Sequence, residues 1–363
     1  MSQHDMIIDN STGANVRADI NNALGAIATN NSGSSAPSTN YASQFFANTS
    51  TSVMQLRNTA NNGHINLFTL AGAPKFPLDG TINSVSIGLG ANSVASNTVL
   101  GVDALDADVT GANNVAIGKS ALTTNTSGAQ NIGVGMEALK LNTTGANNTA
   151  VGQAALQANT TASNNTAVGK GALASNTTGT GLVAIGSACL DANDTGSSNV
   201  GVGYFVLTDL TTGGNNTAIG NAAAQNCTTA SGIVAVGSAA LDANTTGDNN
   251  TAVGKSALQN NTTGSPNTAV GSGSLRDNTT GEDNTAVGFN SLVANTTGTD
   301  NTSVGHGALD ANTTASNNTA VGSLALSANT TGSDNTAVGV NCLDANTTGD
   351  RNTAIGMNTL TAN

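Results

Sequence analysis

The chain has 363 residues and a formal net charge of −12, with 8% charged residues, 2% aromatics and no Trp. Charge near 25% is usual in soluble domains, and an ordinary core is built around aromatic bulk; neither holds here. The acidic balance argues against nucleic acid as a partner, since phosphate contacts need clustered Lys or Arg. No run approaches the ~18 apolar residues of a membrane span, so no membrane insertion is expected.

Residues Met1 to Asn10 carry neither a basic stretch nor an apolar one, so export by a secretory signal is not expected. Residues 13–29 then read as a helix, because Val16, Ile20, Ala23, Leu24 and Ile27 recur on one face, with Asn10, Ser11 and Thr12 as caps. One short helix cannot bury its own stripe. Val16, Arg17, Ile20 and Leu24 are therefore candidate attachment residues.

After Pro37 the pattern turns to strands: Tyr41 to Ala47, Val53 to Arg57 and Ile65 to Leu70, the first two flanking a hairpin loop. Four of the six Phe lie in this part (Phe45, Phe46, Phe68 and Phe76). The expectation is a small α+β head over 1–70, a linker over 71–82 with Pro74 and Pro77, and a repetitive shaft over 83–363.

The head resembles the N-terminal module of tail fibres from short-tailed bacteriophages. The matching text is Met1-Ser2-Gln3-His4-Asp5, then Thr12-Gly13-Ala14-Asn15-Val16-Arg17-Ala18-Asp19-Ile20-Asn21-Asn22-Ala23-Leu24. It continues in Ala36-Pro37-Ser38-Thr39-Asn40-Tyr41-Ala42 and in Val53-Met54-Gln55-Leu56-Arg57-Asn58. The resemblance covers roughly the first seventy residues and implies a module that joins a fibre to the virion, through the tail or an adaptor protein.

From Asn97 onward the chain repeats N-T-A-V-G-x-x-A-L-x-A-N-T-T-G-x-x. A marker glycine returns every 17 residues, from Gly101 to Gly356, with no insertion. A fixed short period predicts a parallel β-roll or solenoid in which each copy is one rung. With the marker glycine as zero, position −1 is Val, Ile or Leu, position −3 is Thr, Val or Ile, and position +4 is Leu except at Ala224. Residues −3 and −1 share one face of a strand, and −2 and 0 share the other. We expect Val/Ile at −1 and Leu at +4 to fill the core, with Thr at −3 buried beside them. The Ala/Gly face is then expected to meet sister chains around a three-fold axis. A tight turn of positive φ is a second reason for the glycine, and the two are compatible.

Asn recurs at −4 and +7, which predicts stacked amide ladders between rungs. Sequons such as Asn159-Thr160-Thr161 follow from this spelling and read as ladder or turn before glycosylation. Cys189, Cys227 and Cys342 show no CxxC spacing and read as small buried thiols; Cys189 and Cys342 lie nine rungs apart, far beyond the ~7 Å reach of a disulfide.

The array is similar to the head repeats of YadA-like trimeric adhesins in its S/T-x-A-I/V-G core, which implies a homotrimer. Asn83 to Gly88 reads as a short first rung. The varying columns (+1, +2, +5, +11 and +12) read as the solvent face. They hold the candidate contacts Lys119, Tyr204, Phe205, Phe289 and His306; Tyr204-Phe205-Val206 is either a contact patch or a packing irregularity. His4, His64 and His306 sit in unrelated settings, so no triad, metal set or cofactor is expected, and no enzyme.

Together these features predict a homotrimeric fibre bound to a virion and presenting its loops to a host-surface receptor, a glycan or an outer-membrane component. A bacterial YadA-like adhesin is the first rival and would need a signal peptide and a membrane barrel. An ice-binding solenoid is the second and would need an exposed, flat Thr face. At Asn363 the array stops inside a rung, where a bare sheet edge is expected unless something covers it.

Overall fold

In a computed structural model, the described residues are the backbone of short strands before residue 83 and then 85–361, except 91, 92, 95 and 108. They are all-β. The helix expected over 13–29 lies outside them, together with Val16, Arg17, Ile20 and Leu24.

The chain divides into two units, Met1–Asn83 and Ser84–Asn363. In the first, β1 (Ser32–Gly33), β2 (Phe45–Asn48), β3 (Val53–Arg57) and β4 (His64–Thr69) form one sheet in sequence order. Strands β2 and β3 pair antiparallel, as do β3 and β4, and β5 spans Asp79–Ile82.

The second unit is a parallel β-solenoid of 17-residue rungs. It opens with β6 (Val85–Gly88) and β7 (Thr98–Gly101), then gives one short strand per rung from β8 (Val115–Ile117) to β22 (Thr353–Ile355). Every rung pairs with its own copy: Thr149, Ala150 and Val151 face Thr166, Ala167 and Val168. The ladder continues outside the strands. Leu156 N–H donates to the Ala172 carbonyl, Ala158 to Ala174 and Thr143 to Thr160, at 3.0, 3.0 and 2.8 Å. The segment expected to be a first parallel rung behaves differently. Strand β6 runs antiparallel to β7, placing Ile87 opposite Leu100, and its 13-residue offset from the marker glycine is too short for a full turn of the solenoid.

The strand faces are the reverse of the sequence expectation. Ala150, Ala167, Ala184 and their equivalents at −2 are fully buried, whereas Val151 at −1 is 37% exposed and Ile219 40%. Thr at −3 is half-buried or exposed, not interior. The reason is width. The interior is filled from the opposite wall by the +4 leucines, all of them between Leu105 and Leu343 fully buried, together with a second small column at +3 such as Ala121 and Ala155. Against that wall the −2 position holds Val99 in the first rung and nothing larger than Ala or Ser in the rungs after it, so the alternation of the strand turns the Val/Ile rank outward. Where −2 is Gly201, the room goes to the larger Cys189 sulfur, 2.6 Å from where a Cβ would stand.

The marker glycines also act within the chain. Gly220 has a φ of +137°, and a Cβ there would lie 2.5 Å from the Gly237 carbonyl oxygen in the next rung. The glycine thus serves a close approach between successive rungs of the same chain. Two turns later in each rung the chain accepts strain. The +4 leucines adopt left-handed φ, +51° at Leu156 and +54° at Leu241. That conformation costs roughly 1–2 kcal/mol in an L-residue, and burying the side chain returns about 1.5–3 kcal/mol.

Both expected amide ladders are present. Asn278 Nδ2 donates to Asn261 Oδ1 at 2.8 Å and to the Gly281 carbonyl at 3.0 Å, and its own Oδ1 accepts from Asn295 at 2.8 Å. In the −4 column, Asn267 Nδ2 reaches the same Gly281 carbonyl at 2.9 Å, and Asn284 N–H donates to Asn267 Oδ1 at 3.0 Å. Asn159 is fully buried in its ladder, so its sequon presents no free amide.

Two substitutions test this arrangement by thermal or denaturant unfolding. Gly220→Ala is expected to destabilise the solenoid by about 2 kcal/mol or more, from a left-handed φ joined to a backbone clash. Asn278→Ala is expected to cost about 1–3 kcal/mol, because the buried Asn261 Oδ1 loses its donor; an unchanged midpoint would remove the ladder from the list of stabilising features.

Candidate functional site

Each rung leaves its strand at the marker glycine, and the following residue, +1, points away from the core. Because rungs stack in register at about 4.8 Å, the +1 residues form one straight ridge. Lys119, Tyr204, Phe289 and His306 all belong to it and all are exposed. Phe205 sits beside them at +2, half-buried, with a φ of +55°.

The candidates do not converge on one pocket. Lys119, Tyr204 and Phe289 are spaced five rungs apart in turn, about 24 Å for each interval. Two pairs are brought together. The Tyr204 and Phe205 rings lie 3.9 Å apart between centroids and are tilted by 40°. Phe289 and His306, on adjacent rungs, stack at 5.6 Å with an interplanar angle of 8°.

Among the described residues the solenoid has three aromatic side chains of the Phe and Tyr type: Tyr204, Phe205 and Phe289. None is in the core. Tyr204 is 50% exposed and Phe289 53%. Their neighbours along the ridge are small and polar, with Ser187 and Asn221 flanking Tyr204, and Ser272 and Ser323 flanking the Phe289–His306 pair.

The +5 column behaves less like free solvent face than its variability suggests. Asp191, Asp242 and Asp344 each keep one carboxylate oxygen buried with no protein hydrogen-bond partner. Burial raises the pKa of Asp191 and Asp242 above the ordinary carboxylate value. Asp310 is raised by burial too, opposed by hydrogen bonds from the Ala311 and Asp310 backbone and, least, by His306. A sequence signal for these residues existed in the recurring Leu-Asp-Ala-Asn spelling, as in Leu190-Asp191-Ala192-Asn193 and Leu309-Asp310-Ala311-Asn312. Asp277 shows the opposite behaviour: its bond to Arg276, at 2.7 Å, holds it below the usual range.

The three cysteines are free and buried. Burial pushes Cys189 up to about 12 and Cys227 up to about 11, so both remain protonated thiols and poor nucleophiles at neutral pH. Among the described residues, no group of His, Cys, Asp and Glu is placed to hold a metal ion. No helix among them is long and apolar enough to cross a membrane.

The buried carboxylates make a signed pH prediction. A carboxyl whose folded pKa lies above its unfolded value binds its proton more tightly in the folded state. It therefore destabilises the fold at neutral pH and ceases to do so as pH falls through the folded pKa towards the unfolded one. Asp242→Asn is expected to raise the melting temperature at pH 7, and the gap to wild type should close on titration below about pH 4. Comparison with protein-family models, with curated proteins and with solved structures returned no match.

Proposed function

We propose that this chain is the shaft of a viral tail fibre, a homotrimer that joins a virion at its N-terminal module and presents the solenoid ridges to a host-surface receptor. The observation that carries the reading is the outward −1 column. It is aliphatic in every rung from Leu100 to Ile355, and Val151, Ile185, Ile219, Val270 and Val321 are all exposed. Beside it runs the −3 rank of Thr, Val and Ile. The two ranks lie about 7 Å apart and extend over some 70 Å of stacked strands, an apolar strip on the order of 500–700 Å². Monomeric soluble proteins rarely leave so large a continuous strip in water.

Packing this flat face against the same face of sister chains would bury it. The three-fold contact is thereby transferred from the Ala/Gly face, which is interior, to the Thr/Val face. Virion attachment is supported by the resemblance of the first seventy residues to phage fibre modules. Mass measurement in solution is expected to give three chains. Val253→Asp, on the outward rank, is expected to yield monomers that keep their β-sheet circular dichroism; a wild-type monomer would sink the trimer.

The same observation favours a second reading. The −3 threonines face outward, as a flat ice-binding surface requires, and eleven of the sixteen rungs carry Thr there. An ice-recrystallisation assay separates the two: activity in a monomeric protein supports ice binding, and its absence in a trimer supports the fibre.

A further inference from the structure

We propose that the +1 ridge carries two carbohydrate-stacking platforms, one at Tyr204–Phe205 and one at Phe289–His306. The inference deepens the fibre reading, on which it rests for the cell surface that would supply the saccharide.

The platforms are not remnants of packing. The core of the solenoid is built from Ala and Leu, and its Phe and Tyr side chains appear only at +1 and +2, where no rung needs them. Other rungs place Ser at +1 in the same backbone geometry, as at Ser187, Ser238, Ser272 and Ser323. The Tyr204 and Phe289 rings at +1 leave about half of their surface in water with no compensating burial, which points to a ligand.

The geometry selects the ligand class. In the Phe289–His306 pair, each ring covers one face of the other. The adjoining rungs on either side carry serines at +1, Ser272 and Ser323, so no third ring continues the stack. Tyr204 lies between Ser187 and Asn221 in the same way. The axial C–H face of a pyranose is weakly positive and packs against the negative face of an aromatic ring. The ridge supplies hydroxyls and amides at its rim, from Ser187, Asn221, Ser272 and Ser323. A purely apolar partner would leave these groups unpaired.

The ridge stays wet in the trimer. Lys119, Lys170 and Lys255 share it and are exposed. The described ion pairs lie elsewhere, at Lys140–Glu137, Arg276–Asp277 and Arg351–Asp334. Burying three unpaired ammonium groups at a protein interface would be costly. The two platforms are five rungs apart, about 24 Å, so a polysaccharide that spans them gains from effective concentration where a short oligosaccharide does not.

The test uses the full chain on a printed array of bacterial surface polysaccharides, followed by titration with the strongest-binding polysaccharide and its size-graded fragments. Tyr204→Ser and Phe289→Ser reproduce residues that neighbouring rungs already carry, so the fold is expected to survive with an unchanged melting temperature. Each single variant is expected to weaken the polysaccharide at least tenfold, the double variant to abolish retention, and fragments too short to bridge 24 Å to bind more weakly in the wild type. Absence of binding to any polysaccharide on the array overturns the proposal, and so does binding that both variants leave intact. Antibody labelling of virions is scored separately. Labelled fibres without platform-dependent binding would sink the saccharide inference alone, whereas platform-dependent binding by a protein absent from virions would sink the fibre reading alone.

Discussion

Every residue in the solenoid sits about 4.8 Å from its own copy in the next rung, and this self-stacking governs what each column accepts. Groups that can both donate and accept, such as the Asn amides, gain from stacking. Where both Asn are kept, the −4 and +7 ladders meet at a single carbonyl, with Asn267 and Asn278 both donating to Gly281. Glycine gains as well, because backbone can approach backbone at the marker position. Charge loses, since like charges in register repel. In the +1 and +5 columns no two adjacent rungs carry the same charge sign. Asp283 and Asp300, which do neighbour each other at +12, are both exposed at an outer corner. The low charge content follows from this rule.

The ladders also show where uniformity is relaxed. Leu182 and Ile233 replace Asn at −4, and Leu210 and Cys227 replace it at +7, all within a few consecutive rungs. One consequence is visible at Asn193. Its Oδ1 is buried without a partner, because the residue that should donate to it from the next rung is Leu210. Similar local exchanges occur in the core, where Ser291 takes the place of Ala and bonds to the Ser303 hydroxyl at 2.7 Å. Such pairs distinguish one rung from the next in an array where a slip by one whole copy would otherwise preserve nearly every contact. The Tyr204–Phe205 pair falls in the stretch of broken ladders, and Phe289–His306 lies among intact ones. An aromatic platform on the ridge therefore does not depend on disturbing the ladder beneath it.

The 17-residue period, one rung per copy, the Asn ladders, the leucine column and the burial of all three cysteines were legible in the sequence, because each is a property of a residue next to its own copy. The ridge membership of Lys119, Tyr204, Phe289 and His306 was legible for the same reason: their common offset from the marker glycine places them on one line. Ring stacking between Phe289 and His306 needed coordinates, as did the half-buried carboxylates, since both depend on side-chain direction rather than position in the repeat.

Which face of the strand lies inside was decided only by the tertiary structure. Alternation divides −3 and −1 from −2 and 0, but it carries no sign, and a rank of Val and Ile is the better core by composition. The opposite wall settles the matter. Leucines held in left-handed turns at +4 already fill the narrow interior and, after the first rung with its Val99, leave room at −2 for nothing larger than Ala or Ser. Self-stacking, a local relation along the axis, is written in the repeat. The distance between the two walls is set by residues that meet across the rung, and the sequence does not contain it until the chain has closed its turn.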